Sequence, residues 1–268
     1  RSRGVCSNTP PHPDHTLMPH YQSVIFIDLD GTLIINPFES AIWPRLTQEI
    51  ADQASIPAQE VYRLIEAEYR ARQQDEAFDP IQSMDWDDIA SVVASRLGVS
   101  VSANCVELVH HYASTHASTL EYAHEALSAL TAPHRALVVA TKGLARYQQP
   151  VLDALNLTHY FTAVITPDTH NGLKKHRRFF GNWPQQAIHA IMVGDLYDDD
   201  VRYPTQHGFK TIWKPPLARI PDDLHSLQPM ERARSYSYQP DQIARPTAII
   251  LSLHELPQTV ALLEQTDA

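Results

Sequence analysis

The chain has 268 residues, of which 43% are hydrophobic and 19% charged, and its formal net charge is −10. That length holds one large domain or two medium ones, and the composition is that of a water-soluble globular protein. The negative charge argues against a general nucleic-acid binder and no apolar run is long enough to span a bilayer, while a small anionic substrate in a locally positive pocket stays open.

Residues 1–20 are rich in Pro, His, Ser and Arg, lack periodicity and carry no secretory h-region, so they read as a disordered tail. His12, His15 and His20 have no carboxylate or Cys at ligand spacing and read as solvated. Cys6 lies in that tail, so a bridge to Cys105 is not expected, and reduced thiols suit a cytoplasmic protein. Val24-Ile25-Phe26-Ile27 is an unbroken β-prone run, the pattern of a strand buried on both faces. It leads into Asp28-Leu29-Asp30-Gly31-Thr32, two carboxylates one residue apart at a strand end.

From Pro37 to Leu130 the pattern is helical, with no strand expected. Candidates cover Glu39–Ala54 with Pro44 early in it, and then Pro57, in the first turn, to about Gln74. A third opens at the N-cap Asp85 and ends at Gly98, and a fourth runs from Ala103 to about His116. Strands and helices then alternate. Strands are expected at 136–141, 161–166, 188–193, 209–213 and 248–251, and helices at 148–157, 177–180 and 256–264. Residues 214–246 are Pro-rich and read as an arm, a subunit contact or a disordered loop. The predicted fold class is α/β: a doubly wound, Rossmann-like parallel sheet formed by 21–36 and 131–268, with an all-α module inserted at 37–130.

Four polar sites follow predicted strands or lie in the loops behind them. They are Asp28 and Asp30; Thr141 with Lys142; Lys174 and Lys175; and Asp195 with Asp198, Asp199 and Asp200. Parallel strands bring their C-terminal ends to one edge, so these groups can converge. Carboxylates for a nucleophile, a proton carrier and a hard cation, with a hydroxyl and an ammonium for an oxyanion, suit phosphoryl transfer. Taken singly, Thr141 is an ordinary β-branched strand residue and the lysines a solvated basic pair.

Asp28-Leu29-Asp30-Gly31-Thr32 resembles the first motif of the haloacid dehalogenase-like (HAD) superfamily. Val139-Ala140-Thr141-Lys142-Gly143 resembles its second, Lys174 ahead of Phe180 its third, and Gly194-Asp195 followed by Asp198-Asp199-Asp200 its acidic fourth. All four come in the family's order, and the helical insertion resembles a C1 cap. Two positions depart from the pattern: Lys175 stands where Pro usually follows the third-motif lysine, and Lys142 replaces the commoner Asn. Gly172 fits either lysine.

The resemblance implies a Mg²⁺-dependent phosphomonoester hydrolase acting on a small phosphorylated metabolite, as a monomer or homodimer. Asp28 is then the nucleophile, and Asp30 the acid and base. Mg²⁺ is held by Asp28, the Asp30 carbonyl and Asp195, with Asp200 or Asp199 behind it. Thr141 and Lys174 hold phosphoryl oxygens, with Lys142 and Lys175 as further substrate contacts. Haloalkanoic-acid dehalogenases of the superfamily lack an acid at the position of Asp30. The alternatives are a phosphomutase with the same nucleophile and a non-catalytic phosphometabolite-binding protein. Trp86, Arg70 and Arg72 are candidates for the cap rim, although packing and a solvated helix face are the favoured reading of them.

Overall fold

The computed structural model describes residues 20–266, so the expected tail lies outside them except for His20. Strand β1 (Tyr21–Ile27) opens the fold. The loop after it leads to a two-residue strand, β2 (Ile34–Ile35), paired antiparallel with β3 (Ser118–Thr119). Between β2 and β3 lie a π-helical turn (Phe38–Ile42), α1 (Trp43–Ala54), α2 (Ala58–Gln74), α3 (Trp86–Arg96) and α4 (Cys105–His116). A strand inside the 37–130 insertion was not expected, because two residues are too short to show a period.

Local chemistry fixes the ends of these helices. Pro44 sits in the first turn of α1, whereas Pro57 caps α2 from outside, in extended conformation, rather than lying in its first turn. The Asp85 and Asn104 side chains accept from the N–H groups of Asp88 and Glu107 at the starts of α3 and α4. Helix α5 (Ala123–Leu130), at the end of the insertion, packs on the helix formed by Leu256–Gln265.

The chain continues through β4 (Arg135–Ala140), α6 (Ala145–Ala154), β5 (Ala163–Ile165), α7 (Pro167–His170) and β6 (Ala187–Gly194). It ends with α8 (Tyr203–Gln206), β7 (Lys210–Trp213), α9 (Pro229–Ser235), β8 (Ala248–Ile249) and α10 (Leu256–Gln265). Helix α6 begins three residues before the expected Gln148 and accommodates Pro150 in its interior. The strands form one parallel sheet in the order β5-β4-β1-β6-β7-β8. The order reverses beside β1, so the ends of β1, β4 and β6 flank the switch point where open α/β sheets bind ligands.

Alternate residues of β1 enter opposite layers. Ile25 and Ile27 join a buried cluster that runs on through α1–α6 and α10. Val24 and Phe26 face Phe179, Phe180 and Phe209, and Phe26 stacks on Phe209 at 5.3 Å between ring centroids. This second face is covered by short 3₁₀ turns, Arg177–Phe180 and Trp183–Gln186, rather than by long helices.

Residues 214–246 are neither a free arm nor a disordered loop. They cover a third cluster made of Val201, Trp213, Ile220, Leu224, Ala233 and Ile249. Arg232, fully buried at its edge, donates to the carbonyls of Leu224, His225, Leu227 and Ile249 and pairs with Glu255 at 3.1 Å. None of the described helices is long and apolar enough to cross a membrane.

Candidate active site

The C-terminal ends of β1, β4 and β6 deliver Asp28, Thr141 and Asp195 to one edge, and the loop after α7 adds Lys174. The Lys174 ammonium is buried and donates to Asp28 Oδ1 at 2.6 Å and to Asp200 Oδ1 at 2.7 Å. Burial opposes its charge, but Asp200 and Asp28 more than compensate, so Lys174 is held protonated far above the usual lysine range. The other Asp200 oxygen accepts from the Leu196 N–H at 2.9 Å. A Cβ on Gly194 would stand 2.1 Å from Asp200 Cγ, so only glycine lets that carboxylate close on the strand end.

Carboxylate oxygens of Asp28, Asp195 and Asp200 lie within 4.8 Å of one another. Burial, and then the Asp28 charge, push the Asp195 carboxyl up to about 6. Its Oδ1 is buried without a hydrogen-bond partner among the described residues. An all-oxygen set with an unpartnered buried oxygen fits a small hard cation. Gly31, at φ +76, turns the chain beneath this set, and a Cβ there would come within 2.5 Å of Asp195 Oδ2. Lys214 closes the far side by donating to the Gly31 carbonyl at 3.1 Å.

Asp30 stands apart from those three carboxylates. Asn36 Nδ2 donates to its Oδ1 at 2.6 Å and Gln148 Nε2 to its Oδ2 at 2.8 Å. Burial, followed by the charge of Asp28, raises the Asp30 carboxyl to about 6 against the pull of those two donors. A carboxyl poised there can give or take a proton near neutral pH. Its side chain is not in the cation-binding set, and the resemblance assigned only its carbonyl to that role.

A cavity of about 370 Å³ extends from Asp28 and Asp30 to the inner faces of α1, α2 and α3. Thr141, Lys142 and Lys174 line its floor, whereas Lys175 does not border it. The expected role of Lys175 as a substrate contact therefore has no geometric support: the buried position belongs to Lys174. Lys142 borders the cavity, but its ammonium is already engaged, donating to Asp199 at 2.9 Å with the Tyr69 hydroxyl beside it. Asp199 and Asp200 thus hold different lysines. Asp198 is exposed and pairs with Arg202.

Trp86 and Arg70 border the cavity, but Arg72 is buried behind it between Glu68 and Asp88. The sequence left Asn36, Gln148, Phe38, Trp43 and Tyr69 unassigned. Gln148 had a detectable signal: it stands on the stripe formed by the N-cap Leu144 with Gln148, Val151 and Leu152 of α6, a polar side chain on a face that is otherwise apolar and buried.

A family profile described as haloacid dehalogenase-like hydrolase matches residues 22–202. No curated protein sequence matches the chain. Among solved structures, a HAD phosphatase from Thermococcus onnurineus is similar over 89% of this chain and 97% of its own, with TM-score 0.66 and 19% identity. The L-2-haloacid dehalogenase from Xanthobacter autotrophicus is similar over 90% and 98%, with TM-score 0.53 and 16% identity. A predicted phosphoglycolate phosphatase from Haemophilus somnus is similar over 91% and 99%, with TM-score 0.52 and 17% identity. At these identities the likeness is one of fold, and it spans phosphatases and dehalogenases alike.

Proposed function

The chain belongs to the haloacid dehalogenase-like hydrolases, and on that premise we propose that it is a Mg²⁺-dependent phosphomonoesterase acting on a small phosphorylated metabolite. The observation that carries this is Asp30. A halide departs as an anion and takes no proton, so a dehalogenase has no work for a second acid beside its nucleophile. An alkoxide leaving group needs one, and the Asp30 carboxyl stands at about 6 in the cavity wall.

An Asp28 oxygen attacks phosphorus, and the bond from phosphorus to the ester oxygen breaks as the Asp30 proton passes to the departing alcohol. Water then attacks the aspartyl-phosphate, gives a proton to Asp30 and releases inorganic phosphate with Asp28 restored. The Thr141 hydroxyl and the Lys174 ammonium hold the phosphoryl oxygens, and Asp200 keeps that ammonium in place. Asp28 and Asp195 would hold Mg²⁺, with Asp200 completing the acidic set. When bound, the ion neutralises negative charge on the phosphoryl group. Return of the phosphoryl group to the substrate, as in a mutase, would need the product alcohol to stay and turn over in the cavity.

The test is phosphate release from 4-nitrophenyl phosphate, with Mg²⁺ and with chelator, alongside chloride release from 2-chloropropionate. Phosphate release that requires Mg²⁺ and falls at least about a thousandfold in Asp28→Asn is the expected result. Chloride release without phosphate release sinks the reading.

A further inference from the structure

The cap side of the cavity differs in chemistry from its floor. Its deep wall is built of Phe38, Trp43, Tyr69 and Trp86, with Ile65 and Met84 between them. The rings brace one another: Trp43 meets Trp86 edge to face at 5.0 Å, and Phe38 and Tyr69 lie 5.1 and 4.9 Å from their neighbours Trp43 and Trp86. Phe38, Trp43, Ile65 and Met84 are buried, so this surface is set before any ligand arrives.

The hydroxyls of this wall already have partners. The Tyr62 hydroxyl donates to Glu39 at 3.2 Å, and the Tyr69 hydroxyl lies against Lys142. Arg70 pairs with Glu66 at the mouth. The Tyr147 hydroxyl donates to Asp87 at 2.9 Å, directed away from the cavity. A polyhydroxylated alcohol pressed against this wall would give up water for ring faces and edges that return few hydrogen bonds. A planar ring would lose little hydration and gain stacked and edge contacts. The volume of about 370 Å³ lies at the small end of ligand pockets, which suits one ring on a short linker.

We infer that the leaving group carries an aromatic or heteroaromatic ring: the substrate is the phosphate ester of a small ring-bearing primary alcohol, not a sugar phosphate. This rests on the phosphomonoesterase reading for its chemistry, but the ring selectivity belongs to the cap wall alone. Turnover and binding therefore need separate arms. In the first, benzyl phosphate and glucose 6-phosphate, both primary-alcohol esters, are compared for phosphate release. We expect kcat/KM at least about tenfold higher for benzyl phosphate, mostly through KM, and a preference largely lost in Trp86→Leu. In the second, benzylphosphonate and 2-hydroxyethylphosphonate, neither of which can be hydrolysed, are titrated against tryptophan fluorescence, and the benzyl compound should bind about tenfold more tightly.

Equal kcat/KM for the two esters, or equal affinity for the two phosphonates, overturns the inference. A ring preference that survives unchanged in both Trp86→Leu and Trp43→Leu overturns it as well. Tighter benzylphosphonate binding with no ester cleaved upholds the ring selectivity and sinks the hydrolase reading alone.

Discussion

Replacing Lys174 with Met removes the one cation that stands between Asp28 and Asp200. Both contacts are short, 2.6 and 2.7 Å, and the ammonium is almost wholly buried, with Asp200 at 0% exposure. Solvent screens little of this, so the surface-pair discount does not apply. Truncating one partner of a buried charge network costs about 3–5 kcal/mol, because the remaining carboxylates are left facing each other without compensation. With a urea dependence of about 3 kcal/mol per molar, that lowers the unfolding midpoint by roughly 1–1.7 M. The assay is urea denaturation with chelator present, followed by tryptophan fluorescence. Trp43 and Trp86 report the helical insertion, and Trp183 and Trp213 the sheet and its flanking turns. Lys175→Met, one residue on, serves as the control and should stay within about 0.5 kcal/mol of the parent. Adding Asp200→Asn to Lys174→Met should recover part of the loss by removing one uncompensated charge. A Lys174→Met midpoint matching the parent, or an equal loss in Lys175→Met, would refute the placement of the buried cation.

Gly31→Ala forces a side chain into a backbone at φ +76 and against Asp195 Oδ2, so it should cost about 1–2 kcal/mol and lower hydrolase activity at least about a hundredfold; parent-like values of both would contradict the turn's role. Arg232→Met removes a donor from four carbonyls and the cation from the Glu255 carboxylate, and is expected to cost about 3–5 kcal/mol and open residues 214–246 to limited proteolysis; an unchanged cleavage pattern counts against it. Glu264 offers a pH signature. Burial pushes its carboxyl up, but donations from Arg135 and Ser23 outweigh this and leave it below the ordinary value. A depressed folded pKa means that its stabilisation is complete above the unfolded value, about 4.3, and is lost as pH falls through the folded one. The stability gap between parent and Glu264→Gln should therefore shrink on acidification below about pH 4, and a gap constant from pH 7 to 3 refutes the pairing.

The site was legible wherever its chemistry coincides with a strand end. Asp28, Thr141 and Asp195 each close a continuous apolar run, and that pattern locates a parallel strand and its polar terminus together. The choices within a motif were not legible. Lys174 and Lys175 are indistinguishable as letters, and only the fold buries one against Asp28 and leaves the other off the cavity. Asp199 and Asp200 likewise part company only when the turn after β6 directs one to Lys142 and the other to Lys174. Most of the aromatic wall escaped for a different reason, although Trp86 was singled out. Trp43 and Tyr69 have the same periodic signature whether they fill a core or line a cavity, because helical spacing records which side is apolar and not what fills the space in front of it. Residues 214–246 misled through their prolines. Pro216, Pro221 and Pro229 start short helical turns that pack over Trp213, so a composition typical of a loop here builds a small core.

The place of β1 in the sheet also dictates a timetable for synthesis. Of the strands in this sheet the earliest made is one of the two central ones, with Ser23 facing Arg135 on one side and His189 on the other. On the ribosome, this uncharged ribbon has no sheet neighbour until the whole helical insertion has been translated. The helices have contacts close in sequence and can assemble first, whereas the sheet must wait for its distant partners. α10 adds a further tie, because Glu264 binds Ser23 and Arg135 together and links β1 and β4 to that helix. The polar edge of the sheet can therefore form only after β6 is made, although Asp28 follows the earliest of the sheet's strands.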